Sequence, residues 1–366
     1  MDETTRLAGL LQERLNDTVA GHREALSALG PDATPLLDEA LGFLTGGKRF
    51  RALFAVQGFR AVRPFSVHKD IDREFSALLD LACSLELFHA AALIHDDIID
   101  RSDTRRGRPS THQQFAAQHQ LKSWRGSADH FGISGALLLG DLLQSWSDEL
   151  MDRACYDIQD IGAARAVRRH FNRMRSEVAV GQFLDIVEEQ RPGFADHDEQ
   201  IARSTRVLVY KSAKYSVEAP LLIGAALAGA SADQEQALAE FGLPVGIAFQ
   251  LRDDILGVFG DEELTGKPSG DDLIEGKRTV LVAFARRGLA PTQQRIFDDL
   301  LGTELDAEQV SMLQRTIHDS GAVADVEDMI AGNLERALKT IRTAPIDPEA
   351  SIRLAQLADK AGKRSA

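Results

Sequence analysis

The chain has 366 residues, 44 % of them hydrophobic, enough to bury a large core and to form one to three domains. Its net charge of -14 argues against nonspecific nucleic-acid binding, so an anionic substrate has to be held by local cations or by metal. The two cysteines, Cys83 and Cys155, resemble neither a disulfide framework nor a zinc site, which fits a reducing cytoplasm.

The N-terminal stretch from Met1 to Arg6 lacks the basic and apolar regions of a signal peptide, and the longest apolar run, Ala219–Ala230, is too short to cross a bilayer. A protein without a transmembrane segment is therefore expected. Apolar spacing predicts helices, in chain order, at Thr4–Leu29, Thr34–Thr45, Arg49–Val62, Arg73–Arg101, His112–Gln118, Ser127–Ala154, Asp160–Val187 and Ile201–Leu208. It continues with Ala213–Ala230, Ala232–Phe259, Lys277–Arg287, Pro291–Leu300, Ala307–Ser320, Val323–Thr343 and Pro348–Ala361. No segment alternates as a strand does. Turn signals fall at Gly30-Pro31-Asp32, Gly107-Arg108-Pro109, Arg191-Pro192-Gly193 and Gly266-Lys267-Pro268, but none is long enough to be a linker. The reading is an all-α fold with the whole chain as a single domain and no solenoid repeat.

Two carboxylate clusters stand out inside this apolar pattern: Asp96-Asp97-Ile98-Ile99-Asp100 and Asp253-Asp254. Residues three and four apart share a helix face, so Asp96, Asp97 and Asp100 can present up to three carboxylates to one spot. Such hard oxygen ligands suit magnesium, which often bridges carboxylates to the phosphates of a substrate. A single cluster reads equally as a solvated acidic helix end; the second shifts the balance toward metal.

The basic positions follow the same logic. Gly46-Gly47-Lys48-Arg49-Phe50-Arg51 breaks one helix and opens the next, setting Lys48 and Arg51 on one face beside free backbone N–H groups that can hold a phosphate. Arg105 and Arg106 lie just beyond the first acids, and arginine suits bidentate phosphate contacts. Lys211 and Ser212 open another helix, Gln250 lies one turn before Asp253, and Lys267 and Lys277 follow in a glycine-rich connection able to close over a charged ligand. Taken singly, each of these reads as well as an ordinary solvated turn. His95 reads as a hydrogen-bonded core histidine, and Trp124 and Trp146 as packing residues.

In order, Gly-Gly-Lys-Arg-Phe-Arg, Glu86-Leu87-Phe88-His89, His95-Asp96-Asp97-Ile98-Ile99-Asp100, Arg105-Arg106-Gly107-Arg108-Pro109, Gly181-Gln182, Lys211-Ser212, Phe249-Gln250-Leu251-Arg252-Asp253-Asp254 and Gly266-Lys267 resemble the motifs of trans-isoprenyl diphosphate synthases, most closely the bacterial geranylgeranyl diphosphate synthases. The resemblance spans Leu41 to Thr279 by motif. It implies a bundle of many helices around a central cavity, of isoprenoid synthase type, and a head-to-tail condensation of an allylic diphosphate with isopentenyl diphosphate. By resemblance, Asp96 and Asp100 bridge two magnesium ions with Asp97 in support, and Asp253 binds a third ion with Asp254 as helper. Arg105, Lys211, Ser212, Gln250, Lys267 and Lys277 then grip the allylic diphosphate; Lys48, Arg51, His89 and Arg106 form the isopentenyl diphosphate pocket. Asp96, Asp100, Asp253, Arg105 and Lys211 carry the catalytic charge stabilisation, and the family implies a homodimer.

One position departs from the pattern: the third aspartate usual after Asp254 is Gly257 here, with Asp261 as a candidate stand-in. Product length is read from the helix below Asp96. Ala92 and Ala91 leave a tunnel open, and Phe88, about one turn or roughly 5 Å deeper, is the first bulky obstacle. That favours a twenty-carbon product; if Phe88 belongs to the ordinary core, the product is longer. Two rivals are a class I terpene cyclase, against which the second diphosphate pocket argues, and a noncatalytic prenyltransferase subunit, against which both acid clusters argue.

Overall fold

The computed structural model describes residues 3–67, 72–260 and 269–363, which are helical nearly throughout. They divide into two compact units, one running to Arg168 and taking in Gly224–Gly229, the other formed by Arg169–Ile223 and the chain from Ala230 onward.

In the first unit, α1 (Glu3–Ala25), α2 (Thr34–Leu44), α3 (Phe50–Val62), α4 (Arg73–Ile99), α5 (Thr111–Leu121) and α6 (Ala128–Tyr156) follow in order. The Asp72 side chain caps α4 by accepting the Phe75 N–H at 2.8 Å, and no glycine or proline interrupts the helix. Apolar all round, α4 is a central helix. By length and composition it passes the test for a membrane span, yet 83 % of its most apolar stretch is buried inside the protein. It packs along α6, where Ser84 and Ser147 each donate to the other's carbonyl at 2.7 Å. Asp80, buried on α4, is satisfied by Arg153 at 2.6 and 2.7 Å and by Arg14, which ties α1, α4 and α6 together. Cys83 and Cys155 are free thiols, and burial raises both.

Between α4 and α5 the chain makes a small antiparallel hairpin, with Thr104 opposite Pro109 and Arg105 opposite Arg108. Its turn residues have positive φ, 55° at Arg106 and 70° at Gly107, as a type I′ turn requires. Two residues a side are too few to show an alternating pattern, which is why the sequence reads this segment as a plain turn.

The second unit contains most of α7 (Ile161–Gln190), then α8 (His197–Val207), a π-helix (Leu208–Glu218), α9 (Ala219–Leu227) up to Ile223, α10 (Ala232–Phe259), α11 (Asp271–Glu275), α12 (Val280–Gly288), α13 (Pro291–Leu300), α14 (Ala307–Asp319), α15 (Ala322–Thr343) and α16 (Pro348–Gly362). Leu251, Leu281, Phe297, Ile317 and Val326 are fully buried in its core. A capping box, in which Ser231 and Gln234 satisfy each other's backbone N–H, starts α10. The sequence reading breaks the chain after Leu208; the structure carries it through without a break. Lys211, Ser212 and Lys214 disrupt apolar spacing at 3.6 residues per turn but are accommodated by the wider π turn.

Candidate active site

The last turn of α4 delivers the first acids. Asp97 is fully buried, while the Asp96 side chain is 21 % exposed and Asp100 is half-buried. Arg105, set at the start of the hairpin, donates from Nε to Asp97 Oδ1 at 2.8 Å and from Nη2 to the same oxygen, with Nη2 3.9 Å from Asp96 Oδ2. Consecutive aspartates point about 100° apart on a helix. Asp97 is thus turned inward as an anchor for the guanidinium, whereas Asp96 and Asp100, four apart, share the outward face.

Two turns back along α4, His89 lies among four guanidiniums. Burial first, then the charges of Arg51, Arg106, Arg105 and Arg49, hold its imidazole well below the usual histidine range, so it is neutral at physiological pH. Arg106 is lowered by burial and by Arg49 and Arg105. Its guanidinium lies beside Gly47 and 5.7 Å from the Phe43 ring centre. Guanidiniums this close repel one another, and a diphosphate relieves the repulsion while matching their fork geometry.

Arg49 is the site residue that sequence reasoning missed. It is buried with φ 49°, donates to Gln12 at 2.8 Å, to Glu86 at 3.4 Å and to the Leu44 carbonyl, and so clamps the Gly-Gly-Lys-Arg turn. Glu86 also accepts the Ala52 N–H at 3.2 Å. Held this way, α3 presents Arg51 toward His89, and Lys48 stays exposed on the turn. Below the acids, Ala92 is half-buried, Ala91 fully buried and Phe88 6 % exposed. His95 donates from Nε2 to the Leu137 carbonyl at 3.2 Å, as a hydrogen-bonded histidine. Trp146 is buried and stacks on His22; Trp124 meets His119 and Phe131 edge-on.

In the second unit, Lys211 and Ser212 project from the π-helix. Its backbone is approached from two sides by glycines: a Cβ at Gly181 of α7 would lie 2.6 Å from the Tyr210 carbonyl carbon, and one at Gly246 of α10 2.8 Å from that of Ala213. No larger residue fits at either contact. Lys211 pairs with Asp185, one turn after Gly181. On α10, Gln250 Nε2 donates to Asp254 Oδ1 at 2.8 Å. Burial pushes Asp254 up to about 8; the Gln250 hydrogen bond opposes this, and the charges of Asp272, Asp253 and Asp185 add to it. Lys277 pairs with Glu275 at 2.5 Å and lies 3.9 Å from Asp272. Lys267, and with it Asp261, lies outside the described residues.

Among the described residues, no three His, Cys, Asp or Glu side chains close on one point as a protein-only metal cage. The donors on offer in each unit, the carboxylates of Asp96 and Asp100 in the first and of Asp253 in the second, fit magnesium by their chemistry, because that ion keeps water and shares itself with phosphate oxygens.

A model of the polyprenyl synthetase family matches residues 34–318. The chain belongs to that family. Among its relatives, the geranylfarnesyl diphosphate synthase of Aeropyrum pernix is 32 % identical over 321 residues, covering 86 % of this chain and 89 % of that protein. The geranylgeranyl diphosphate synthase of Methanosarcina mazei is 30 % identical over 317 residues, covering 86 % and 85 %. The crystal structure of a geranylgeranyl pyrophosphate synthase from Corynebacterium glutamicum, complexed with isoprenyl diphosphate and magnesium, is 34 % identical with a TM-score of 0.92 over the whole of both chains. This polyprenyl synthetase is accordingly an all-α prenyltransferase that makes prenyl diphosphates, as its motifs led one to expect.

Proposed function

We infer that this chain condenses isopentenyl diphosphate with an allylic diphosphate and stops at geranylgeranyl diphosphate, acting in the cytoplasm as a homodimer of one-domain subunits and using three magnesium ions. The observation that carries the reading is the composition of α4 and its surroundings: outward acids at one end, and His89 with its four guanidiniums two turns away in the same unit. Two anion-holding arrangements on one helix serve two diphosphates. A cyclase, which handles one, has no use for the second.

Asp96 and Asp100 in the first unit, and Asp253 in the second, would hold magnesium, which when bound would supply charge stabilisation for the diphosphate that departs when the allylic carbon–oxygen bond breaks. Arg105, kept in place by buried Asp97, adds a fixed positive charge that needs no reorganisation during that step. Lys211, steadied by Asp185, adds a compact one. Lys48, Arg51 and Arg106 hold isopentenyl diphosphate, and neutral His89 contributes a hydrogen bond without adding to the arginine repulsion. The isopentenyl double bond attacks the allylic cation to form the new carbon–carbon bond, and the departing diphosphate takes the proton that is lost.

For product length, support comes from the order of Ala92, Ala91 and Phe88 down one face of α4 below the acids. For the homodimer it comes from Ile133, Leu137 and Leu138, which α6 leaves 44 %, 49 % and 60 % exposed. The test is chromatographic sizing of dephosphorylated products from magnesium, labelled isopentenyl diphosphate and each allylic primer. A twenty-carbon alcohol from the wild type and longer ones from Phe88→Ala are expected; an unchanged product in the variant removes the floor assignment, and a cyclic hydrocarbon removes the synthase reading. Removing this ring costs about 3–5 kcal/mol of stability, so the variant is assayed below its melting temperature.

A further inference from the structure

Helix α1 precedes the residues, 34–318, that the family model matches, yet one of its side chains reaches the turn that carries Lys48. The helix is firmly seated. Leu7, Leu11, Leu15 and Val19, spaced four apart along one face, are buried, and Arg14 pairs with buried Asp80 of α4. Beside Leu11, Gln12 stands half-buried on the flank of that face. Its Oε1 accepts the Gly46 N–H at 3.2 Å and an Arg49 guanidinium N–H at 2.8 Å, while its Nε2 donates to Asn16 Oδ1 at 2.9 Å, one turn further along α1. Three hydrogen bonds therefore fix which way the amide points.

Gly46 and Arg49 bracket Lys48, so a single oxygen from α1 bridges both ends of the Gly46-Gly47-Lys48-Arg49 turn. That turn needs holding. Gly46 and Gly47 have φ of 76° and 89°, and Arg49, immediately before α3, has φ 49°, a left-handed conformation that a non-glycine residue keeps only where its surroundings enforce it. The Leu44 carbonyl and Glu86, 3.4 Å away, also accept from the Arg49 guanidinium. Of these partners, Gln12 is the one that holds the first residue of the turn as well. Arg106 leans on the same turn, since a Cβ at Gly47 would lie 3.5 Å from its Nη2. Any shift of the turn thus moves Lys48, the start of α3 with Arg51, and the support of Arg106 together.

Resting on the synthase reading above, we propose that Gln12 is a positioning residue for isopentenyl diphosphate, setting Lys48 and Arg51 where they grip that substrate. It acts through the turn and not on the substrate itself. Without its oxygen, the Gly46 N–H and one edge of Arg49 are left to water, and the turn is released at both ends. The loss falls on one of the two substrates, because Arg105 is anchored separately on Asp97.

The test is steady-state kinetics on the full chain with magnesium, varying isopentenyl diphosphate at saturating allylic primer and then the reverse, with the melting temperature of each variant recorded. Gln12→Met keeps the length of the side chain and removes all three hydrogen bonds. It should raise KM for isopentenyl diphosphate by about tenfold, equivalent to about 1.4 kcal/mol, with kcat and the allylic KM within about twofold of wild type. Gln12→Glu keeps an acceptor for both donors and should return that KM to within about threefold. An unchanged KM for isopentenyl diphosphate in Gln12→Met overturns the proposal, whatever the melting temperature does. Equal rises for both substrates, which mark general loosening, overturn it too, as does a glutamate variant no better than the methionine one. If Gln12→Met does not fold, Gln12→Asn replaces it, being one methylene too short to bridge the turn: the same selective rise supports the proposal and its absence overturns it. A wild-type protein that condenses isopentenyl diphosphate with no allylic primer at all would instead sink the synthase reading itself.

Discussion

At the end of α4, Asp97 is buried against Arg105 and the nearby anion site is walled by guanidiniums, whereas on α10 Asp254 is buried against neutral Gln250 with the carboxylates of Asp185, Asp253 and Asp272 acting on it. The first region has surplus positive charge and rigid forks, already shaped for a diphosphate. The second has surplus negative charge, relieved in part by the point charges of Lys211 and Lys277. Identical acid pairs thus make opposite local fields. An anion should steady the guanidiniums of the first region, and a divalent cation its outward acids and the carboxylates of the second.

The comparison is broken most severely by removing an outward acid. Asp96→Asn and Asp253→Asn should each lower kcat by about 10²- to 10³-fold, the loss usual when one preorganised stabiliser of a departing charge is deleted. Single-turnover assays at saturating substrate check this; a loss below tenfold in either would show that its motif is dispensable. Next comes Arg105→Lys, which keeps the charge but gives up the fork seated on Asp97. A drop in kcat/KM of about ten- to hundredfold, carried by the allylic substrate, is expected from the roughly 1.5–3 kcal/mol of a charged hydrogen bond. Equal activity in the lysine variant would mean that simple charge suffices there.

Much of this contrast is hidden in the sequence. The acids and their helices are legible because 3.6-residue spacing and local runs suffice to find them, and the order of the basic motifs points to the family. Which of two adjacent aspartates faces inward is decided by packing against the hairpin, so Asp97 reads as a metal helper although it is buried on Arg105. Arg49 looks like one more surface cation until its left-handed conformation and its bonds to Gln12 and Glu86 are seen. The π-helix is misread as a break because its period is not the one sought. Asp185 and Asp272 carry no local signal, since each matters only through what distant segments bring beside it.

A smaller effect separates the regions by pH. The His89 pKa lies below the unfolded value, so under acid the unfolded chain binds a proton that the folded one refuses. The stability this group contributes is present above about pH 6.5 and is lost as pH falls from there toward the folded pKa. His22, His112 and His170 are lowered by burial and act in the same direction. His89→Gln should therefore flatten, without abolishing, the fall in urea midpoint between pH 6.5 and pH 5. An unchanged slope would mean that His89 is not held neutral by the arginines around it.

The least disruptive change should be Asp254→Asn, and that is what makes it discriminating. With its carboxyl raised to about 8, metal-free Asp254 is largely protonated at neutral pH, and asparagine copies its shape and neutrality. The amide oxygen can still accept from Gln250 Nε2, so the buried hydrogen bond survives. Asp254→Asn should then shift kcat/KM by less than about fivefold, on the order of 1 kcal/mol or below, while its neighbour Asp253→Asn loses most activity. Measured side by side across a magnesium series, similar losses in the two variants would show that Asp254 serves as a carboxylate in the working enzyme. The second region would then need both negative charges to hold its ion, and the contrast with arginine-bound Asp97 would be sharper still.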